Sequence, residues 1–137
     1  MTYQDLIDKL QTEIEEVTEL KDVYAGFPDS GLLVYPCAVI LPQGRQHSFL
    51  DTRDTRREYN ITIRIYGNME NTGVNTQQVV WDITDKVTNV LEKNITLDGI
   101  VDWIKPTSDK FYWDKTNSKI YFNEIQVTAN VRFNRYA

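Results

Sequence analysis

The run Arg57 to Tyr66 (REYNITIRIY) constrains the fold more tightly than any other stretch of the chain. Tyr59, Ile61, Ile63 and Ile65 point one way and Asn60, Thr62, Arg64 and Tyr66 the other, because successive side chains of a strand face opposite sides. Such alternation specifies a strand with one side on a core and the other toward water or a partner. A sheet built on it needs a second layer over its apolar side.

Two amphipathic segments supply that layer. Leu6, Ile7, Leu10, Ile14, Val17 and Leu20 recur at spacings that line one helical face, with glutamates over much of the rest. Thr2 is placed to cap this helix, and Asp5 three residues on completes a variant capping box. After Lys21 a loop is expected, Tyr24 to Gly31, whose glycines and proline interrupt regular structure. A second helix is predicted from Thr76, capped by Asn75 or Thr76, with Val79, Val80, Ile83, Val87, Val90 and Leu91 on one face. The turn-rich segment Gly67 to Asn75 precedes it.

The remaining strands read from shorter signals. Tyr35 to Leu41 is a strand bounded by Pro36 and Pro42, with Cys37, Val39 and Leu41 on one face; proline there favours an edge or a strand terminus. Asp98-Gly99 is a turn, Ile100 to Lys105 and Phe111 to Trp113 are strand-like, and Asp114 to Asn117 turns into a long strand, Tyr121 to Phe133. The alternation of that strand departs from strictness at Asn123. The order α-β-(long loop)-β-α-β-β predicts an α+β fold: a mostly antiparallel four-stranded sheet with two helices packed on one face, in a single domain over residues 1–137. Its other face, with Asn60, Thr62, Arg64, Gln126, Thr128, Asn130 and Arg132, is left polar and open.

Between the first two predicted strands lies a polar stretch, Gln43 to Arg57 (QGRQHSFLDTRDTRR), carrying Arg45, Arg53, Arg56 and Arg57. A connection this long is uncommon in a compact domain and is usually functional or disordered. Charge is unevenly spread around it. Residues 1–30 hold eight acids against two lysines, whereas residues 31–66 hold five arginines against three acids. Two readings follow: solvated faces with a solubilising loop, or head-to-tail association in which the acidic part of one copy meets the arginines of the next. A net charge of −5 without a broad basic face argues against nucleic acid.

Catalytic and metal constellations fail on residue supply. His47 is the one histidine; Ser48 beside it and Asp51 four residues on do not compose a nucleophile, base and orienter. Asp51, Asp54 and Glu58 lack the spacing and glycine of a calcium loop, and one histidine with one cysteine excludes the usual zinc sets. Gly67, Gly73 and Gly99 are isolated turn residues with no phosphate-binding motif around them. The aromatics Trp103, Phe111, Tyr112 and Trp113 favour strand packing over a base-stacking platform. Cys37, in the apolar run CAVIL, has no cysteine to pair with and reads as a small buried side chain in a reducing compartment. The opening residues carry no charged leader and no apolar run approaches a bilayer span, so neither signal-peptide secretion nor membrane insertion is expected. The Asn-Ile-Thr triplets at Asn60 and Asn94 then have no role as glycosylation sites.

Taken in order, these pieces resemble the small tail completion or tail terminator proteins of long-tailed bacteriophages, which are head-tail joining ring proteins. The resemblance covers nearly the whole chain. It rests on the amphipathic first helix, Gly26-Phe27-Pro28 leading to YPCAVIL, the long loop before REYNITIRIYG, the helix from Gln77 to Leu91, and a closing strand ending in VTANVRF. It implies a structural virion protein, not an enzyme, with no cofactor. Such a protein forms a ring, expected to be hexameric, that ends polymerisation of the tail tube and offers the surface that joins the head. The implied partners are further copies of the chain, the tail tube protein and head connector or neck proteins, with no membrane and with DNA only as cargo in a channel. The implied location is the tail or neck of a virion assembled in the host cytoplasm. Arg45, Arg53, Arg56, Arg57, Arg64 and Arg132 are the candidate assembly contacts. Another neck or head-tail connector component, and a small non-viral α+β binding domain, fit the same pattern.

Overall fold

The computed structural model describes residues 2–50, 53–72 and 75–134. In order these form α1 (Tyr3–Ile14), β1 (Asp22–Ala25), β2 (Cys37–Phe49), β3 (Asp54–Asn68), a short α2 (Met69–Thr72), α3 (Thr76–Lys93), β4 (Trp103–Trp113) and β5 (Ile120–Asn134). Asp51 and Gly73 lie outside the described residues.

The alternating run is the centre of the sheet. β3 lies between β2 and β5 in the order β1-β2-β3-β5-β4, and Tyr59, Ile61, Ile63 and Ile65 are fully buried. Ile61 stands opposite Val127, and Ile63 opposite Ile125, so the apolar sides of β3 and β5 coincide. Leu6, Leu10 and Ile14 of α1 and Val80, Ile83, Val87 and Leu91 of α3 close over that face. The predicted cap is present: Thr2 Oγ1 accepts from the Asp5 amide at 3.1 Å and Asp5 Oδ2 accepts from the Thr2 amide at 2.8 Å. α1 stops at Ile14, short of the predicted span, where Glu13, Glu15 and Glu16 oppose the negative end of the helix dipole. Val17 continues the apolar stripe through turns and remains buried.

Among the described residues the sheet has five strands, not four, and is mixed. Asp22–Ala25, at the entry to the loop expected after Lys21, pairs in parallel with β2, Val23 opposite Ala38. Only Val23 of its four residues is buried, too little for an apolar period to mark it. The runs Ile100 to Lys105 and Phe111 to Trp113 are likewise replaced by one strand, β4, with a register shift at Pro106/Ser108. That irregularity accommodates a proline in a ladder where it cannot donate.

The largest departure concerns Gln43 to Arg57, which is not a loop. β2 continues to Phe49 and β3 begins at Asp54, so the stretch is a β-hairpin arm closed by a hydrogen bond from the Leu50 amide to the Asp54 carbonyl, 3.1 Å. Pro42 sits where the register shifts, Gly44 takes a φ of 115°, and pairing resumes from Gly44↔Asn60 to Phe49↔Thr55. The β2 limb is exposed from Pro42 onward, so ladder hydrogen bonds shape it without an apolar period.

The departure from alternation at Asn123 falls on the helix-facing side of β5. The side chain is fully buried, and its Nδ2 donates to Asp109 Oδ2 at 3.0 Å. The other sheet face is not uniformly polar. Cys37, Val39 and Tyr66 form a small second core there, with Leu33, Tyr35 and Phe122 packed against it. No helix among the described residues is long and apolar enough to cross a membrane.

Candidate assembly surface

Strand parity divides the arginines that looked like one cluster. Arg56 and Arg57 are adjacent on β3 and therefore lie on opposite faces. Arg57 shares its face with Arg45 opposite Tyr59, while Arg56 shares the open face with Arg64 and stands directly across from Arg132. Arg53 sits at the tip of the arm.

On the helix side, the root of the arm is tied to α1. Tyr3 and Tyr59 meet edge to face at 4.8 Å between centroids, and the Arg45 guanidinium lies 5.8 Å from each ring. The Tyr3 hydroxyl donates to the Gly44 carbonyl. Burial is the main cause of a Tyr3 pKa above the ordinary tyrosine value, with the Gly44 carbonyl and Arg45 pulling the other way. Farther out, Phe49, Thr55 and Phe133 form one transverse row over three strands, and the Arg57 guanidinium covers the Phe133 ring at 4.1 Å. Phe49 is 71% exposed, Leu50 40% and Phe133 38%, so the distal arm presents apolar surface amid positive charge. Phe49 and Leu50 are functional candidates beside the arginines, and their signal in the sequence is two large apolar residues within a polar run.

On the open face, two of the candidate arginines are held by internal partners. Arg132 donates from Nη2 to Asp54 Oδ2 at 2.5 Å, and its amide donates to Asp102 Oδ2 at 2.6 Å. Arg64 donates to Glu124 at 3.0 Å and to the Tyr66 hydroxyl at 3.1 Å, above the Phe122 ring. Glu124 also accepts from Gln126, and Gln126 accepts from Thr62, each at 3.1 Å. This polar face is a cross-linked lattice, which makes it rigid. Among the described residues, no three His, Cys, Asp or Glu side chains are grouped to hold a metal ion.

The aromatics Phe111, Tyr112 and Trp113 of β4 pack on their neighbours, as expected, without being covered. Phe111 stacks on Tyr121 with centroids 5.8 Å apart and Tyr112 on Phe122 at 5.3 Å, yet both remain over a third exposed, as does Trp113.

No family model matches the chain, and no curated protein matches it. Among solved structures it is similar to a chain described as "Virion of native gene transfer agent (GTA) particle", with a TM-score of 0.68 and 13% identity over 93% of this chain and 95% of that one. At that identity the likeness establishes a shared fold over nearly the full length of both chains.

Proposed function

We propose that this chain is a structural protein of a phage-like virion that forms a ring, hexameric by its resemblance to tail terminators, at the end of a tail tube. The ring ends tube polymerisation and supplies the surface that joins the head. The observation that carries this reading is the end-to-end fold likeness to a virion component, coverage above nine-tenths on both sides. The β-hairpin arm supports it. A ring is built from heterologous contacts that close by rotation, and an arm reaching beyond the domain core is a means of making them. Termination then requires no reaction and no cofactor: one ring face matches the end of the tube, the other does not copy it, and addition stops.

Within this reading Arg45, Arg53, Arg56 and Arg57 on the arm contribute to subunit or tube contacts, and Arg64 and Arg132 stiffen the sheet face that carries them. Electron microscopy and light scattering on the purified chain, alone and with tail tubes, test the proposal. Rings, or caps on tube ends, are expected. A strictly monomeric protein that joins no tube overturns it.

A further inference from the structure

The two ends of the sheet carry complementary features. At the arm end, Phe49, Leu50 and Phe133 are exposed around Arg57. At the other end, where β3 runs out at Asn68, Met69, Gln78, Trp81 and Trp113 line an open cavity of about 290 Å³. Trp81 and Trp113 are 44% and 43% exposed, and their positions are fixed. Trp81 Nε1 donates to the Tyr121 hydroxyl at 3.0 Å, and Trp113 packs on the Tyr121 ring with centroids 4.8 Å apart. A pair of anchored, half-exposed indoles is the composition of an interface centre.

Thr55, in the row of Phe49 and Phe133, is thirteen residues along β3 from Asn68. At ~3.3 Å per residue the arm and the cavity are roughly 40 Å apart, so they cannot meet within one molecule. Charge adds one further feature. Of the acids beside the cavity, Glu70 is paired with Lys119 and Asp82 with Lys86 at 3.0 Å, which leaves Asp85 as the carboxylate turned to a partner. Asp85, one helical turn beyond Trp81, makes no ion pair among the described residues.

We propose that the distal arm of one copy docks in the Trp81–Trp113 cavity of a second copy, Phe49 and Leu50 lying against the two indoles within a rim of Asn75, Thr76, Gln77 and Gln78. The inference rests on the self-assembly proposed above and assigns its contact. A knob and a socket at opposite ends of one chain form a heterologous interface, which closes into a ring or runs on as a filament according to the rotation per copy.

A mixing experiment tests it. Phe49→Ser removes the knob and keeps the socket; Trp113→Ser does the reverse. Each variant alone is expected to assemble at least ~tenfold more weakly than the parent chain, as for loss of an interface centre. An equimolar mixture retains one good contact per pair, so light scattering should show two-copy particles and no rings. To guard against a misfolded Trp113→Ser chain, Leu50→Cys and Gln78→Cys chains, both altered at exposed positions, are mixed and oxidised; a crosslink between the two is expected. Rings with neither crosslink nor sensitivity to Phe49→Ser overturn the docking and leave the ring intact. A parent chain that forms no ring, with no crosslink between the two cysteine variants, overturns both.

Discussion

The Arg57 guanidinium lies 4.1 Å from the centroid of the Phe133 ring, bridging β3 and the end of β5 at the base of the exposed tip. Arg57 Nε is buried without a hydrogen-bond partner among the described residues, so the side chain contributes chiefly through packing and the cation–π contact. Arg57→Ala should lower monomer stability by about 1 kcal/mol in urea unfolding. Arg57→Met, which keeps the packing and deletes the orphaned N–H, should recover most of that loss. Equal stability of the parent, Ala and Met chains would refute a structural role for the stack.

Replacing Arg53, Arg56 and Arg57 together with alanine separates arm chemistry from folding. The core packs against β3 from Tyr59 onward, so the triple variant should keep the parent's circular dichroism and lose only about 1–2 kcal/mol of monomer stability. Assembly or tube attachment should weaken, and the parent's assembly should weaken with added salt over the range where exposed charges are screened. Unchanged assembly would remove the arginines from the mechanism.

What the residues revealed in advance followed from burial on one side of a period. Tyr59, Ile61, Ile63 and Ile65 on β3, and Leu6, Leu10 and Ile14 on α1, turn one side of their period to the core, and the sequence carries that periodicity openly even though Thr62 on the opposite face of β3 is also buried. The arm has no such contrast. Gln46, His47 and Ser48 are all exposed, so extended and irregular backbone look alike in composition. Strand β1 is hidden for a related reason: Val23 alone is buried, and its pairing is to a strand that begins twelve residues later. For the candidate surface, the arginines were visible but their division between faces needed the strand, after which the adjacency of Arg56 and Arg57 settles it. Trp81 was readable too, since it lies off the stripe of Val80, Ile83 and Val87; an indole on the wet side of a helix is a contact signal.

Asn123 is a place where the local rule is broken inside the core. Its Oδ1 is buried without a hydrogen-bond partner, while Nδ2 serves an exposed Asp109 that water can solvate instead. Removing a half-satisfied polar group from an apolar layer is nearly neutral or stabilising when shape is kept. Asn123→Val, with high strand propensity, should therefore raise stability by about 1 kcal/mol. A loss above ~2 kcal/mol would show that Asn123 holds the β4–β5 register through Asp109, which the same chain with Asp109→Ala would then reproduce.

Cys37 offers a pH-dependent readout of the second core. It is fully buried beneath that face, and burial pushes its thiol up from 9.0 to about 12, with Asp22 acting in the same direction. For an acid whose folded pKa is raised, the neutral form is favoured by folding. Below about 9 the group contributes no pH dependence, and as pH climbs from 9 toward 12 the unfolded chain ionises first and stability falls. At pH 11 the loss specific to this thiol should be about 2 kcal/mol, at ~1.4 kcal/mol per unit discounted for relaxation. The comparison that reports it is parent against Cys37→Ala in urea unfolding at pH 8 and pH 11, which reads the thiol together with its coupling to Tyr35 and Tyr66, whose pKa values are raised by burial and by this thiol. The gap between the two should shift toward the alanine chain at high pH, and the native thiol should resist alkylation at pH 8 while the unfolded chain reacts. A pH-independent gap, or rapid alkylation of the native protein, would place Cys37 in contact with solvent and remove the second core from the sheet's open face.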